Sequence, residues 1–472
     1  MLPVVTDGAL DELAATEGSA DTLALLIRDQ DTRRLLLVRA VLDAADAADT
    51  GLCPGAAKRR LREDWALLTA ADRTAGAAGS PARARLTHPL MGPWAGRTLT
   101  GLTPRDARIT AEHRLELQRN LSHFSAVAVA AAVRAGLPFT TSLTTRDGVL
   151  TLPSLGALRS AERGDTRIDV HHVDGRLTLR RPAADDVTVH LESGTGAWSE
   201  ALAWTPAHAL PGLLPGGAPM PLDDLDPYRV PPREPEHHAL SGPAAPDHAE
   251  RKRWLQAWSG TASALRTGGE QRLAETLALL RCLVPLEMPP GADGRGSCSG
   301  TRREAFGALL SSAPATPVAF AATLVHELQH TKLAALSEMV ELHRAGPEAR
   351  YFAPWRPDPR PYDGLLQGTY SHLAMADFFQ RLALADPARQ ESAWAEHARY
   401  HAQVGAALPA LVGSSDLTPM GRRFVDGMAA VHERLAAHPA PRGYTARAQA
   451  YVKVMRTLWT QRRPPGYPLT NR

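Results

Sequence analysis

"TPVAFAATLVHELQHTKLAALSEMVELH", residues 316–343, reads as one long apolar helix carrying a few polar residues. Thr316 can accept a capping hydrogen bond, and Pro317 suits the first helical position, where a missing N–H costs nothing. No breaker follows until Gly346-Pro347, so the periodicity predicts a helix through the whole stretch. On that helix His326 and His330 lie one turn apart on a shared face, with Glu327 about 100° round from the first. This is the H-E-x-x-H spacing: two imidazoles that can reach one metal ion, and a carboxylate able to touch whatever the metal binds. The bland alternative is a pair of core histidines. The apolar flanks weigh against it, because two imidazoles and a carboxylate buried there without a common partner would be costly.

A metal needs a third protein ligand, and downstream the candidates are Glu338, Glu341, His343, His372 and Asp377. The two glutamates sit two and three turns further along the same helix, and His343 lies beyond them. His372, in "GLLQGTYSHLAMADFF" (364–379), belongs to a separate apolar segment that can pack against the first helix and present its ring to the same ion. His372 is therefore the expected third ligand.

Between the two helices runs "ARYFAPWRPDPRPYDG" (349–364), in which Arg350, Arg356 and Arg360 alternate with Tyr351, Phe352 and Trp355. Its prolines favour an extended path across the mouth of the site, and an arginine held there can pair bidentately with a carboxylate. A rigid surface loop whose arginines pair with Asp358 and Asp363 remains the other reading.

The rest of the chain supplies context. With 472 residues and 44% hydrophobic content, it can bury two or three packed units. Its 53 basic and 50 acidic residues leave a net charge of +3, which gives no footprint for nucleic acid. Cys53, Cys282 and Cys298 are far apart and form no C-x-x-C motif. The N-terminus has no signal-peptide pattern and no segment approaches the ~20 apolar residues of a membrane span, so a cytoplasmic protein without a membrane is expected.

Residues 1–140 have helical periodicity, including "AEHRLELQRNLSHFSAVAVAAAVRAG" (111–136) closing on Gly136. Residues 141–204 hold short β-branched runs, two of them after Asp-Gly turn signals. Residues 205–248 are rich in proline and glycine and read as a connector, with "DLDPYR" (224–229) as a packed loop. Helical periodicity returns over 249–472. The expected fold class is mainly α with a small antiparallel β region, the helical unit bearing the histidine motif. His397 and His401, one turn apart in "EHARYH", read as a solvated helix face.

Four segments together carry a family resemblance: "LVHELQHTKLAAL" (324–336), "YFAPWRPDPRPYDGLLQGTYSHLAMADFF" (351–379), "SCSGTRREAFGALLSS" (297–312) and "DLTPMGRRFVDGM" (416–428). The combination of H-E-x-x-H with W-R-x-D-P-R-P and G-L-L-x-G resembles the HExxH proteins encoded beside ribosomally made, post-translationally modified peptides. These are regarded as iron(II), 2-oxoglutarate-dependent peptide β-hydroxylases. The resemblance implies iron(II) held by His326, His330 and His372, and 2-oxoglutarate bound with help from Arg356, Arg360 and Trp355. It also implies Glu327 in a supporting role, a precursor peptide as substrate and a radical-SAM maturase as a further partner. Three histidines depart from the usual two-histidine, one-carboxylate set. The competing reading is a zinc peptidase with Glu327 as general base, although His330 is followed by "TKLAALSEM" and not by the G-x-x-H of an extended zincin signature.

Overall fold

A computed structural model of the chain describes residues 4–76, 79–104, 109–160, 162–182, 184–191, 196–229, 241–288 and 298–462. The N-terminal part holds helices α1 (Asp7–Ala14), α2 (Ala20–Ala47), α3 (Gly55–Arg73), α4 (Pro81–Leu86), α5 (Met91–Leu102) and α6 (Ala111–Arg134). Thr110 caps α6, and Gly136 follows it at φ +69°, the left-handed conformation that closes a helix cheaply.

Two β units come next. Strands β1 (Phe139–Thr144), β2 (Val149–Leu152), β3 (Gly156–Arg159), β4 (Arg167–Val173), β5 (Arg176–Arg180), β6 (Val187–Leu191), β7 (Ala197–Trp198) and β8 (Trp204–Pro206) form two antiparallel sheets, ordered β1-β4-β5-β6-β7 and β2-β3-β8. Both Asp-Gly pairs make the expected turns: Asp147 and Gly148 lie at φ +51° and +81°, and Asp174 and Gly175 at +49° and +72°. The sheets pack on the face of α6 that bears Ala126, Val129, Ala130 and Val133.

The stretch expected to be a connector is more structured than its composition suggests. Of its residues, 230–240 lie outside the described set, but β9 (His208–Leu210) and β10 (Met220–Leu222) are strands, and Asp224, Asp226 and Tyr228 are buried. Packing of "DLDPYR" agrees with expectation. Helices α7 (His248–Ser259), α8 (Thr261–Thr267) and α9 (Glu270–Leu279) follow, then β11 (Cys282–Leu286), β12 (Ser299–Gly300) and β13 (Ala308–Ser312). These strands join β9 and β10 in a third sheet, ordered β12-β13-β11-β10-β9, in which β10–β11 and β11–β13 are parallel. Every residue of β11 and β13 is buried, which is why neither shows the alternation that would have announced a strand.

The last five helices are α10 (Pro317–Met339), α11 (Tyr362–Ala385), α12 (Gln390–Ala407), α13 (Pro419–Leu435) and α14 (Arg442–Arg462). Helix α10 starts as its sequence predicts, with Thr316 accepting from the Ala319 N–H and Pro317 at the first position. It ends earlier than expected. Val340 turns extended, and the Leu342 carbonyl that continuation would have buried accepts instead from Thr418 at the start of α13. The structure is mainly helical with small sheets, as the pattern of periods predicts.

Helix α10 belongs to two cores. Phe320, Ala321, Leu324 and Val325 pack with α7, α8 and the third sheet, whereas Leu328, Leu333 and Leu336 pack with α11, α13 and α1. Leu10 and Leu13 of α1 are fully buried in that second core, each gaining roughly 1.5–3 kcal/mol by leaving water. The chain's first helix is thus a wall of the unit that carries the motif, not part of a separate N-terminal body.

Candidate metal centre

His326 and His330 project from the middle of α10, where one core gives way to the other. Their Nε2 atoms stand 3.1 Å apart. Two nitrogens each about 2.1 Å from one ion lie ~3.0 Å apart at a right angle and ~3.4 Å apart at the tetrahedral angle, so the spacing suits a shared cation. His330 Nδ1 lies 3.1 Å from Gln367 Oε1 on α11. An amide oxygen there selects the Nδ1–H tautomer and leaves the Nε2 lone pair aimed at His326, the outer support typical of a metal-bound imidazole. Burial, then the neighbouring rings of His330 and His372, hold the His326 pKa well below its ordinary value, so the ring is neutral as a ligand must be.

His372 stands next to this pair without closing a triad. Its ring centroid is 5.6 Å from that of His326, and the ring is packed between Trp355 at 4.5 Å and Tyr400 at 5.0 Å. It is 7% exposed, its buried Nδ1 has no hydrogen-bond partner, and burial pushes its pKa down to about 3. Among the described residues, the ring nitrogens of the three histidines do not all fall within 4.8 Å of one another. The other candidates are engaged elsewhere: Glu338 with Gln30, Glu341 with Arg344, His343 with Asp363, and Asp377 with Arg272 and Arg381.

Glu327 is 3% exposed and points to the third sheet. Its Oε1 accepts from the Ser299 hydroxyl at 2.7 Å, and the Thr301 hydroxyl is close enough to act on its charge. Burial raises its pKa; His330 and the two hydroxyls oppose that rise.

The histidine pair and Glu327 border a cleft of about 340 Å³. Its cationic lining is Arg302 and Arg303, not the arginines of the proline-rich segment that the sequence favours. Arg302 pairs with Glu304 and donates to the Tyr228 carbonyl, and Arg303 pairs with Asp363 at 3.0 Å. Arg356, Arg360 and Trp355 do not line the cleft. Arg356 pairs with Asp358 at 2.7 Å, Arg360 lies over the first turn of α11 against Gly364, and Trp355 packs on Gly368 and His372. Ser299, Thr301, Arg302 and Arg303 fall in "SCSGTRREAF", whose clustered hydroxyls and cations were the available signal.

His397 and His401 depart from the solvated face that their spacing suggested. His397 is 2% exposed and bonds the Ala376 carbonyl through Nδ1, and His401 stacks on His432 with centroids 4.1 Å apart. Both rings fill contacts of α12 with α11 and α13.

No helix among the described residues is long and apolar enough to cross a membrane. No protein-family model matches the chain, and neither does any curated protein.

Proposed function

We propose that the chain is a cytoplasmic iron(II)- and 2-oxoglutarate-dependent hydroxylase that acts on residues of a ribosomally made precursor peptide. The observation that carries this reading is the imidazole pair: two Nε2 atoms 3.1 Å apart, one ring braced by Gln367, at the wall of a polar cleft. His372, whose buried Nδ1 has no hydrogen-bond partner, is the residue that would supply a third imidazole.

When bound, iron with 2-oxoglutarate couples conversion of the keto acid and O₂ to succinate and CO₂ with insertion of one oxygen atom into an unactivated C–H bond. The chain's own residues hold and aim the reactants. Gln367 fixes the orientation of His330. Ser299 holds Glu327 at the cleft wall, where it orders water or a substrate amide. Arg302 and Arg303 line the cleft, and either would meet the far carboxylate of the keto acid by exchanging its present carboxylate partner, Glu304 or Asp363. The cleft opens to solvent, as a site for an extended peptide must, and a radical-SAM maturase is a compatible partner.

One observation favours a second reading. Glu327 lines the cleft beside both imidazoles and burial raises its pKa, which is what the general base of a zinc peptidase requires. The two separate on one variant. Under the hydroxylase reading, iron(II) and 2-oxoglutarate give a visible charge-transfer band without oxygen. With oxygen they yield succinate, and a co-expressed precursor peptide gains one oxygen per site. His326→Ala removes all three signals, whereas Glu327→Gln keeps the band. Peptide fragments in place of oxygen addition, with zinc at one equivalent and hydrolysis lost in Glu327→Gln, would overturn the hydroxylase.

A further inference from the structure

We propose that His88, Asp223 and Cys282 form a second metal site that takes a zinc ion, with a water as the fourth ligand. The three residues come from distant parts of the chain: the turn between α4 and α5, the residue after β10, and the first residue of β11. Their ligand atoms all lie within 4.8 Å of one another, the one such cluster among the described residues. His88 Nε2 is 3.0 Å from Asp223 Oδ2.

The geometry at Asp223 is what a simple ion pair leaves unexplained. Its Oδ2 is buried yet receives no properly directed hydrogen bond, even with the imidazole at that distance. A carboxylate oxygen without water or a well-aimed donor is costly, and a cation seated between the three side chains would satisfy it. The backbone holds the group in place. Asp223 N–H donates to the Leu283 carbonyl at 2.7 Å, which ties the aspartate to the strand that carries Cys282. Asp226 lies outside the cluster but within reach of its charge: burial, and then Asp223, push its pKa up to about 7.

The donor set selects the metal. One imidazole nitrogen, one carboxylate oxygen and one sulfur suit zinc and reject magnesium and calcium, which take oxygen ligands. On binding, the Cys282 S–H bond breaks, its proton leaves to solvent and the sulfur lone pair bonds the ion, while the His88 ring proton moves from Nε2 to Nδ1 and the 3.4 Å contact of Nδ1 with the Leu90 N–H is given up. The thiolate and the Asp223 carboxylate then cancel the dication, so Arg34 and Arg85, whose charges act on this cluster, face a neutral centre. His88 also lines a cleft of about 410 Å³, through which an ion and a completing water can reach the site. A zinc ion there would clamp the α4–α5 turn to the middle of the third sheet, at one edge of which Ser299 of β12 holds Glu327.

Cobalt(II) tests this directly, because the histidine pair of α10 offers no sulfur. Titrating the reduced, chelator-stripped full chain with cobalt should raise a near-ultraviolet thiolate-to-cobalt band that saturates at one equivalent. His326→Ala and Cys298→Ser should keep the band, Cys282→Ser should abolish it and His88→Ala should weaken it at least tenfold in cobalt affinity. A second measurement avoids any doubt about folding of those variants: zinc should raise the thermal midpoint of the His326→Ala/His330→Ala protein. Absence of the band in wild type, its survival in Cys282→Ser, or a zinc-insensitive midpoint in the double variant would overturn the site.

Discussion

Replacing Lys332 with methionine should be among the most damaging single changes in the protein, although the residue touches neither the cleft nor its histidines. Lys332 is 0% exposed, two residues beyond His330. Its ammonium donates to Glu275 at 2.7 Å and to the carbonyls of Thr16 at 3.0 Å and Glu17 at 3.4 Å. Arg272, equally buried, donates to Thr16 and pairs with Glu275 at 3.3 Å and Asp377 at 3.2 Å. Thr16 itself sits at φ +63°, a conformation that a non-glycine residue holds only when its surroundings insist. Removing one partner of a buried pair costs about 3–5 kcal/mol. Glu275 would keep Arg272 and Gln329, which places Lys332→Met near the lower bound, ~3 kcal/mol. Glu275→Gln should cost a similar amount by leaving two cations against one carboxylate. The double variant removes one charge of each sign and leaves Arg272 with Asp377, so it should lose less than the two singles combined, by about 1–3 kcal/mol. Urea midpoints of the four proteins at one pH measure the cycle. Additive losses, or a Lys332→Met midpoint equal to wild type, would show that the network is not a coupled unit and refute the reasoning.

Three further outcomes can be checked. Gln367→Leu removes the brace on His330 and should weaken metal affinity about 10–100-fold, read by equilibrium metal binding, with the circular dichroism spectrum unchanged. Gly368→Ala places a Cβ 2.2 Å from the Trp355 ring, so it should cost about 1–3 kcal/mol in urea unfolding and loosen the indole from His372; an unchanged midpoint would mean that Trp355 yields without cost. Burial raises Asp64 from 3.8 to about 6, against the pull of Arg60 and Ser125. Between those limits the folded protein keeps a proton that the unfolded chain has released, so stability falls as pH rises through that window. Asp64→Asn should flatten that slope in urea midpoints measured across the same range.

Much of the histidine-bearing helix was legible because its signals are local. Thr316, Pro317 and the four-residue histidine spacing are read without knowing any other part of the chain, and the Asp-Gly turns likewise. The third sheet was hidden because "CLVPL" and "ALLSS" are buried on both faces, and a short uniformly apolar run has no period to read. Long-range placement was equally silent. Nothing in "LDELAA" says that Leu10 and Leu13 pack beside α13, and the partners of Glu327 come from a strand whose two residues show no pattern. Arg356 and Arg360 are near the motif in sequence, but the cleft is bordered by Arg302 and Arg303, from the segment between β12 and β13.

The double allegiance of α10 has a consequence for how the protein fails. With its first turns packed against the sheet-side helices and its later turns against α1, α11 and α13, the imidazole pair occupies the seam. Loosening on either side displaces one histidine relative to the other. Unfolding of either core alone should therefore abolish metal binding at the pair, even where the other core stays folded.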